Sequence, residues 1–451
     1  MRIKFPDEVK IISSRIKKAG FRSYLVGGAV RDQLLGLSAK DYDLCTDALP
    51  EDIMSIFKKV IPTGIKHGTV TVLMNSESYE ITTFRIDGKY SDGRRPDDIL
   101  FTDDLTEDLK RRDFTINSIA YDVLENKIYD PNNGEADLKS GIIRAIGVPE
   151  ERFREDGLRS IRACRFASQL NFTIENETIE GIKNCLSNIQ DLSAERIYEE
   201  FLKIMKTDKP SLSFHLFQET GILPLILPEL SLCIGVGQKG AHEFDVFEHL
   251  LRSCDAASPE NSDVRFAALF HDLGKPAVRS IGDDGIPTFY NHEMESVKIA
   301  QSIMNRYRFP KNKMKRILQL IQNHMFHYTE NWSDSAVRRF IRKIELSYMS
   351  DQYALREADI QGMTRGSIPE DGYGLRELKL RVAAILEEEN AFSVKDLAVN
   401  GKDVMTATGI KGGPMVGHIL DYLLETVLDD PKQNNKATLL DIASKYSKTL
   451  K

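Results

Sequence analysis

The chain has 451 residues, of which 41% are hydrophobic and 29% charged, and its formal net charge at pH 7 is −7. This length predicts several domains, and the charge excludes a uniformly basic nucleic-acid-binding protein. No apolar run reaches the roughly 18 residues of a membrane span. Five scattered cysteines without a CxxC pair indicate a reducing, cytoplasmic location.

The first part of the chain predicts a mixed α/β head, and the remainder predicts a helical body. Strand and turn patterns alternate at first, and from about residue 150 helical patterns dominate. We therefore predict the α+β fold class. In chain order, the predicted elements are an amphipathic helix (7–19), a strand ending in a glycine turn (23–30), a short helix (31–36), a half-buried strand (40–47), two further strands (68–74 and 78–86), a long loop (87–106), and a helix start followed by a strand (107–122).

Two glycines and two aspartates predict a metal-dependent site for phosphate chemistry. Gly27 and Gly28 allow the backbone to approach a phosphate, and Asp41 and Asp43 follow them on a predicted strand. Residues two apart on a strand face the same side, so both carboxylates are expected to face one point. A cation such as Mg²⁺ relieves their repulsion. We expect Glu80 to be the third carboxylate of a two-metal transfer site.

The segment LVGGAVRDQLLGLSAKDYDLCTD (25–47) resembles the head of the class II tRNA nucleotidyltransferases. These are the CCA-adding enzymes and the bacterial poly(A) polymerases, which share a polymerase-β-like nucleotidyltransferase head. The resemblance implies that Gly28 and Arg31 contact the nucleotide and that Asp41 and Asp43 hold Mg²⁺.

The segment LKRRDFTINSIAYD (109–122) is similar to the second motif of that family. The resemblance implies that Arg112 contacts the incoming triphosphate. It also implies that Arg111 and Asp113 support the ribose side of the site.

The segment RFREDGLRSIRACRF (152–166) spaces Asp156, Arg159, Arg162 and Arg165 three residues apart, which predicts a stripe on one helix. A carboxylate accepts from the exocyclic amine of cytosine or adenine, and an arginine donates to the neighbouring ring nitrogen. The resemblance implies that Asp156 and Arg159 select CTP and ATP in this way, with Arg162 and Arg165 toward the triphosphate. Gly157 stands where the family commonly has proline, and we expect it to loosen the helix start.

The next segment, SAERIYEEFLKIM (193–205), resembles a further family motif. We expect it to support the base-selecting helix, with Ser193 capping its own helix and Arg196 pairing with acids along it.

Two features separate the members of the family. Residues 60–74 lack the GRRF-type basic signature of bacterial poly(A) polymerases, and the loop 87–106 is longer than in enzymes that add only CC. Full CCA addition and A-only addition to tRNA both remain open, with poly(A) synthesis as a further alternative. Lysines of the tail are candidate tRNA contacts: Lys432, Lys436, Lys445, Lys448 and Lys451.

Histidines crowd together in the helical body, at positions that include His242 and His327. The order H…HD…D resembles the HD phosphohydrolase superfamily, and it implies four metal ligands: His249, His271, Asp272 and Asp359. We expect His292 and His324 to contact phosphate or a second metal. Imidazole and carboxylate ligands suit Ni, Co, Mn, Fe or Zn.

Two interpretations of this region stay open: an active phosphohydrolase, and a relic fold that supports tRNA binding. An HD phosphohydrolase with a degenerate RNA-binding head is the alternative for the whole chain. The predicted domains are the head (1–145), a neck carrying the nucleotide-selecting helix (146–235), the HD-type domain (236–365) and a helical tail (366–451).

Overall fold

The computed structural model of the protein describes residues 3–39, 41–88, 99–238, 243–283, 285–364, 374–387 and 392–450. His242, Lys451 and the centre of the predicted loop 87–106 lie outside the described residues. The chain divides into two compact units, Met1–Ser231 with Arg306–Arg308, and Leu232–Asn305 with Phe309–Lys451. No helix among the described residues combines the length and apolar character that a membrane crossing requires.

The first unit contains the strands, and the second is almost entirely helical, so the predicted α+β class is confirmed. The described strands of the first unit are β1 (Ser23–Val26), β2 (Asp43–Thr46), β3 (Val60–Gly64), β4 (Thr69–Met74), β5 (Glu77–Thr83), β6 (Arg85–Asp87), β7 (Ile99–Phe101), β8 (Ala120–Asp122), β9 (Lys127–Tyr129), β10 (Ile142–Ile143) and β11 (Thr173–Ile174). Its helices are α1 (Asp7–Lys18), α2 (Gly28–Leu34), α3 (Pro50–Ile56), α4 (Leu105–Lys110), α5 (Gly134–Ser140), α6 (Pro149–Glu155), α7 (Leu158–Leu170), α8 (Asn176–Asn184), α9 (Ala194–Ile204), α10 (Pro210–Thr220), α11 (Leu223–Ile226) and α12 (Pro228–Ser231).

Seven of these strands form one sheet in the order β3-β4-β5-β2-β1-β8-β9. The central strand β1 is buried along its whole length and pairs antiparallel with both β2 and β8. Strand β2 pairs parallel with β5, which places the start of β2 beside the segment around Glu80. The predicted strand 78–86 is divided: β5 ends at Thr83, and β6 pairs with β7 in a separate ribbon.

Two predicted placements on regular elements are wrong. Strand β2 begins at Asp43, so Asp41 lies in the connection before the strand. The two aspartates therefore do not lie on the same strand, although the sequence pattern predicts that they do. Helix α7 begins at Leu158, and Asp156 is the residue that ends α6, with an extended φ of −151°. The three arginines of the predicted stripe are therefore helical, but the aspartate lies in the junction between two helices.

Gly157 has a different role in the structure from the one predicted. A Cβ at this position would lie 2.3 Å from the carbonyl oxygen of Asn188, which is far inside contact distance. Glycine therefore lets the start of α7 pack directly against the backbone of the turn Leu186–Ile189.

The second unit consists of helices and one short β-ribbon. The described helices are α13 (Val246–Ala256), α14 (Ser262–Phe270), α15 (Lys275–Val278), α16 (His292–Arg306), α17 (Lys311–Gln322), α18 (Asp334–Ile344), α19 (Met349–Met363), α20 (Leu375–Glu387), α21 (Gly401–Thr408), α22 (Pro414–Asp429) and α23 (Lys436–Thr449). The ribbon pairs β12 (Ser280–Ile281) with β13 (Pro287–Thr288). One core joins α18 and α20, and another joins α21, α22 and α23. The four predicted domain boundaries stay predictions.

Candidate active site

A cavity of about 490 Å³ in the first unit brings most of the predicted nucleotide-binding residues together. Arginines dominate its lining, which makes it suited to a polyanionic ligand. Its lining residues include Gly27, Gly28, Arg31, Asp43, Arg111, Arg112, Asp113, Asn117, Asp156, Arg159, Arg162, Arg165, Phe166, Gln169 and Arg196.

Of the three carboxylates predicted to hold Mg²⁺, one lines this cavity. Asp43 lines the cavity, whereas Asp41 and Glu80 do not. Protein atoms surround Asp43, but its side chain still reaches solvent. This partial desolvation, together with the charges of Glu80 and Asp41, raises the pKa of Asp43 to about 6. The charges of Glu80 and Asp41 thus act on Asp43, and carboxylate oxygens are the ligands that a divalent metal such as Mg²⁺ prefers, so the chemistry of these residues fits such an ion.

A buried carboxylate orients the two arginines of the second motif. Asp108 is fully buried and accepts a hydrogen bond of 2.7 Å from Nη2 of Arg111 and one of 3.3 Å from Nη2 of Arg112. Burial opposes ionisation, but Arg112 and Arg111 hold the pKa of Asp108 below its ordinary value. Gly27 adopts φ +70°, which favours glycine, and Nη1 of Arg112 lies 3.6 Å from the position a Cβ would take, at ordinary contact distance.

Asp113 connects the second motif to the arginine helix. Its Oδ2 accepts from Nε and Nη2 of Arg162 at 2.9 and 2.6 Å, and its Oδ1 accepts from Nδ2 of Asn117 at 3.0 Å. The amide oxygen of Asn117 accepts from Nη1 of Arg31 at 2.7 Å. Burial opposes the charge on Asp113, but Arg162 and Asn117 hold the pKa of Asp113 well below its usual range.

One aromatic ring supports three of the arginines. The guanidinium carbons of Arg165, Arg31 and Arg162 lie 3.8, 5.0 and 5.2 Å from the ring centroid of Phe166. Phe166 is buried, so these cation–π contacts form where water is largely excluded. The ring therefore holds three positive charges at one end of the cavity.

Neighbouring groups hold the two residues that are predicted to select the base. Asp156 accepts from the backbone N–H of Leu158 at 3.0 Å and from Nη2 of Arg196 at 2.6 Å. Arg159 donates to Glu155 at 2.5 Å and to the backbone oxygen of Arg111 at 3.1 Å. Both side chains line the cavity.

Helix α9 places a buried carboxylate beside two arginines of α7. Glu200 is buried and accepts from Nε of Arg165 at 2.6 Å, and it lies 4.0 Å from Nη1 of Arg162. Ser193 precedes this helix, but its side chain makes no capping hydrogen bond, so that prediction is wrong. Arg196 pairs with Asp156 instead of with acids along its own helix, which corrects the other prediction for this segment.

The comparisons with known proteins agree with this geometry. A family model for the poly(A) polymerase head domain matches residues 23–144, one described as "Probable RNA and SrmB- binding site of polymerase A" matches 171–233, and one for tRNA nucleotidyltransferase domain 2 matches 289–443. The CCA-adding enzyme of Lactobacillus johnsonii is 34% identical over 433 residues, 96% of each chain. That of Ligilactobacillus salivarius is 33% identical over 98% of this chain and 97% of its own.

The chain belongs to the CCA-adding enzyme family. It is therefore a nucleotidyltransferase, and the predicted class II membership is confirmed. A solved structure of the Bacillus stearothermophilus CCA-adding enzyme in complex with CTP is 30% identical, with a TM-score of 0.75, and the match covers 98% of both chains. The predicted HD domain is matched by none of the three family models above and stays a prediction.

In this family member, the predicted HD ligands lie together in the second unit. His249 Nε2 lies 3.1 Å from His271 Nε2, 3.4 Å from Asp272 Oδ2 and 3.3 Å from Asp359 Oδ1. Asp272 also belongs to a second set of possible metal ligands, because its Oδ1 lies 3.0 Å from His292 Nε2. These five side chains are all buried.

Three histidines of the cluster present the same ring nitrogen, Nε2, to it. The Nδ1 atoms of His271, His292 and His324 each lie 2.7–2.8 Å from the backbone oxygen three residues earlier. If each Nδ1 carries the proton and donates to that oxygen, each Nε2 keeps its lone pair and faces the cluster. Imidazole nitrogens and carboxylate oxygens this close together need a proton or a metal ion between them, and this donor set fits a transition metal.

The charges of the cluster are strongly coupled. Burial opposes the charge on Asp272, but His271 and Lys275 hold the pKa of Asp272 well below its usual range. Burial and His271 lower the pKa of His324 to about 3, so that ring is neutral at pH 7 and able to ligate a metal.

Two glycines bring the ligand-bearing elements together. A Cβ at Gly362 would lie 2.1 Å from Ser253 Oγ and 3.0 Å from the backbone oxygen of His249, so glycine allows α13 and α19 to approach. A Cβ at Gly274 would lie 2.4 Å from the backbone oxygen of His292. The first contact places His249 near Asp359, and the second places Asp272 near His292.

The cluster opens into a cavity of about 540 Å³. Two cations lie beside the ligands: Lys275 Nζ is 2.5 Å from Asp272 Oδ2, and Arg356 Nη1 is 2.6 Å from Asp359 Oδ2. The rest of the wall combines the polar residues Gln238, Thr288 and His327 with the apolar and aromatic residues Phe289, Tyr290, Met325, Phe326 and Met363.

Several residues of both sites were not assigned a role from the sequence. The position of Asp108, three and four residues before Arg111 and Arg112 in a helical pattern, was a usable signal. Glu200 was another, because it occupies the buried face of α9 with Ile197 and Ile204. The remaining unassigned residues are Asn117, Phe166, Gln169, Lys275 and Arg356.

Proposed function

We propose that the chain adds C and A nucleotides from CTP and ATP to the 3′ end of tRNA. The observation that carries this proposal is one cavity containing Asp43, the base-selecting pair Asp156 and Arg159, and a cluster of arginines. The names of the relatives and the CTP complex of the solved structure support it. They favour full CCA addition over A-only addition and poly(A) synthesis.

The carboxylates are the residues that would hold Mg²⁺. Asp41 and Asp43, with Glu80 beside them, provide the hard oxygen ligands that this ion prefers. When bound, Mg²⁺ lowers the pKa of the attacking 3′-hydroxyl and neutralises charge on the leaving pyrophosphate. Arg112, Arg162 and Arg165 bind the triphosphate, and Phe166 keeps two of these arginines at its ring.

The base is selected by hydrogen-bond direction. Asp156 accepts from N4 of cytosine or N6 of adenine, and Arg159 donates to N3 of cytosine or N1 of adenine. Uracil and guanine present an oxygen where the amine stands and an N–H where the acceptor stands. Both contacts would then be repulsive, so no nucleic-acid template is required.

Extension of a tRNA that ends at its discriminator base tests this proposal. Labelled CTP should be incorporated first, and ATP should follow only after two C additions. Asp43→Ala should abolish incorporation while tRNA binding stays within about twofold, since the carboxylate acts on the reacting atoms. Incorporation of ATP alone, and only onto tRNA ending in CC, would instead identify an A-adding enzyme.

We further propose that the second unit binds a transition metal and hydrolyses phosphate esters. The ligands are His249, His271, Asp272 and Asp359, and the cluster with His292 and His324 allows a second ion. Lys275 and Arg356 beside the ligands provide positive charge for a phosphoryl group. The ion would be Ni, Co, Mn, Fe or Zn, each of which accepts this donor set.

Metal content and hydrolysis together test this second activity. One or two ions per chain are expected, with phosphodiesterase or phosphatase activity supported by Ni²⁺, Co²⁺ or Mn²⁺. His271→Ala should lower both. Bound metal without hydrolysis would support the relic-fold alternative, in which the unit serves tRNA binding only.

The cellular location and the tRNA contacts of the tail belong to the same proposal. All five cysteines are free and buried, which agrees with a cytoplasmic enzyme. In the tail, Lys436 pairs with Asp403 and Lys445 with Asp441, so Lys432 and Lys448 are the better phosphate contacts.

A further inference from the structure

The carboxylate that selects the base is oriented from outside its own segment. Asp156 Oδ2 accepts a hydrogen bond of 2.6 Å from Nη2 of Arg196, which lies 40 residues later on α9. The other oxygen accepts from the backbone N–H of Leu158 at 3.0 Å. Both side chains are largely shielded, with exposed fractions of 15% for Asp156 and 17% for Arg196.

This double anchor fixes the direction in which Asp156 accepts. Each carboxylate oxygen has lone pairs for about two hydrogen bonds, so an oxygen held by Arg196 or Leu158 keeps one for a base amine. Asp156 lies in the junction between α6 and α7 and has extended backbone, so no helix of its own restrains it. The contact with Arg196 is therefore the side-chain restraint on its rotation.

Arg196 itself faces the nucleotide cavity. Its side chain lines the cavity, and among the described residues its Nη1 is buried without a hydrogen-bond partner. The guanidinium group therefore has Asp156 as its carboxylate partner at the cavity wall. A purely structural arginine would be expected to satisfy both terminal nitrogens within the protein.

We propose that Arg196 is a positioning residue that determines the preference for C and A over U and G by orienting Asp156. This inference rests on the proposed nucleotide addition. With Arg196 present, Asp156 cannot turn away from an incoming O4 of uracil or O6 of guanine, and the repulsion between oxygens excludes those bases. Without Arg196, Asp156 keeps only the hydrogen bond from the backbone N–H of Leu158 and gains freedom to turn, so the correct bases lose a well-placed acceptor and the wrong bases lose part of a repulsive contact.

The test is nucleotide selectivity in Arg196→Met and Arg196→Lys. The kcat/KM ratio of CTP to UTP is measured on tRNA ending at the discriminator base, and that of ATP to GTP on tRNA ending in CC. Arg196→Met should lower both ratios by at least about tenfold, because a charge-assisted hydrogen bond to a buried group is lost. Arg196→Lys keeps the charge without the planar fork and should fall between.

Matched variants separate positioning from general damage. Glu199→Gln changes an exposed charge on the same helix and should leave both ratios unchanged. In Asp156→Asn, adding Arg196→Met should change the ratios by less than about twofold, because the group through which Arg196 acts is already altered. Thermal unfolding of each variant checks that it folds, and Arg196→Lys decides the question if Arg196→Met does not.

Three results would overturn the proposal or its basis, and they are distinguishable. Equal slowing of all four nucleotides with unchanged ratios would show that Arg196 is only structural. Independent, multiplying effects in the double variant would show that it does not act through Asp156. A wild-type protein that adds neither C nor A would refute the proposed function itself.

Discussion

Asp113 Oδ2 lies 2.6 Å from Nη2 of Arg162, a residue 49 positions later in the chain, and this contact joins the second motif to the arginine helix. The carboxylate is buried, and the arginine is 29% exposed. A second acid, Glu200, lies farther from Arg162, with 4.0 Å between its Oε1 and Nη1 of the arginine. The contact thus fixes an arginine that we propose binds the triphosphate, and it also stabilises the first unit.

Asp113→Asn should lower the free energy of unfolding at pH 7 by about 2–3 kcal/mol, because it leaves Arg162 without its close carboxylate. The pKa of Asp113 is below its ordinary value in the folded protein, so its stabilisation is complete above about pH 4 and decreases as pH falls further. The measurement is urea unfolding of both proteins at pH 7 and pH 3. Asp191→Asn, at an exposed aspartate, is the control. A difference that does not shrink at pH 3 would argue against the ionised pair.

Phe166→Leu should weaken the binding of all nucleotides without altering selectivity. Leucine keeps the apolar volume but removes the ring that contacts Arg31, Arg162 and Arg165. We expect KM for CTP and ATP to rise about three- to tenfold, since each buried cation–π contact contributes on the order of 1 kcal/mol. Steady-state extension kinetics measure this. Phe214→Leu, fully buried elsewhere in the unit, should lower stability but leave KM unchanged.

Gly274→Ala should disrupt the proposed metal-ligand cluster of the second unit. The new Cβ would lie 2.4 Å from the backbone oxygen of His292 and 2.6 Å from the backbone nitrogen of Ser296, so α16 must move away from Asp272. The expected result is a loss of about 1–3 kcal/mol in unfolding free energy and fewer bound metal ions per chain. Calorimetry and elemental analysis measure these two quantities.

Gly417→Ala is the matched control for that substitution. Gly417 lies on α22 with no atom near its added Cβ, and alanine there should stabilise the helix by about 0.5–1 kcal/mol. Metal content should stay unchanged. An equal loss of metal in both variants would show that the close packing of α16 against Gly274 is not what holds the cluster together.

The sequence predicted which residues share the nucleotide cavity better than it predicted how they are held there. Gly28, Arg31, Asp43, Arg112, Asp156 and the three arginines of α7 all line it. Spacing identifies neighbours on one element, and Arg159, Arg162 and Arg165 are such neighbours. It does not identify partners brought in by packing, such as Glu200 for Arg165 or Arg196 for Asp156.

The wrong predictions have the same physical origin as these missed partners, because contacts with other parts of the chain decide the outcome. Asp41 was placed on a strand because the alternating pattern continued through it, but the pairing with β1 stops at Asp43. The prediction that Gly157 loosens a helix rests on glycine standing where the family commonly has proline; it misses the packing partner Asn188, which lies 31 residues away and leaves no mark on the local pattern. In the second unit the order of the residues did predict their convergence: His249 and Asp359 lie on α13 and α19, and the adjacent His271 and Asp272 follow the end of α14.

The central claim is that Asp156 and Arg159 replace a nucleic-acid template. The most direct measurement is to extend a tRNA lacking its last three nucleotides with all four nucleotides present together, and to sequence the products. We predict that the added sequence is C, C, A in the wild type, and that Asp156→Ala with Arg159→Ala lowers the preference for C and A over U and G by at least about a hundredfold, from two lost contacts. An added sequence that stays C, C, A in the double variant at wild-type selectivity would contradict the account.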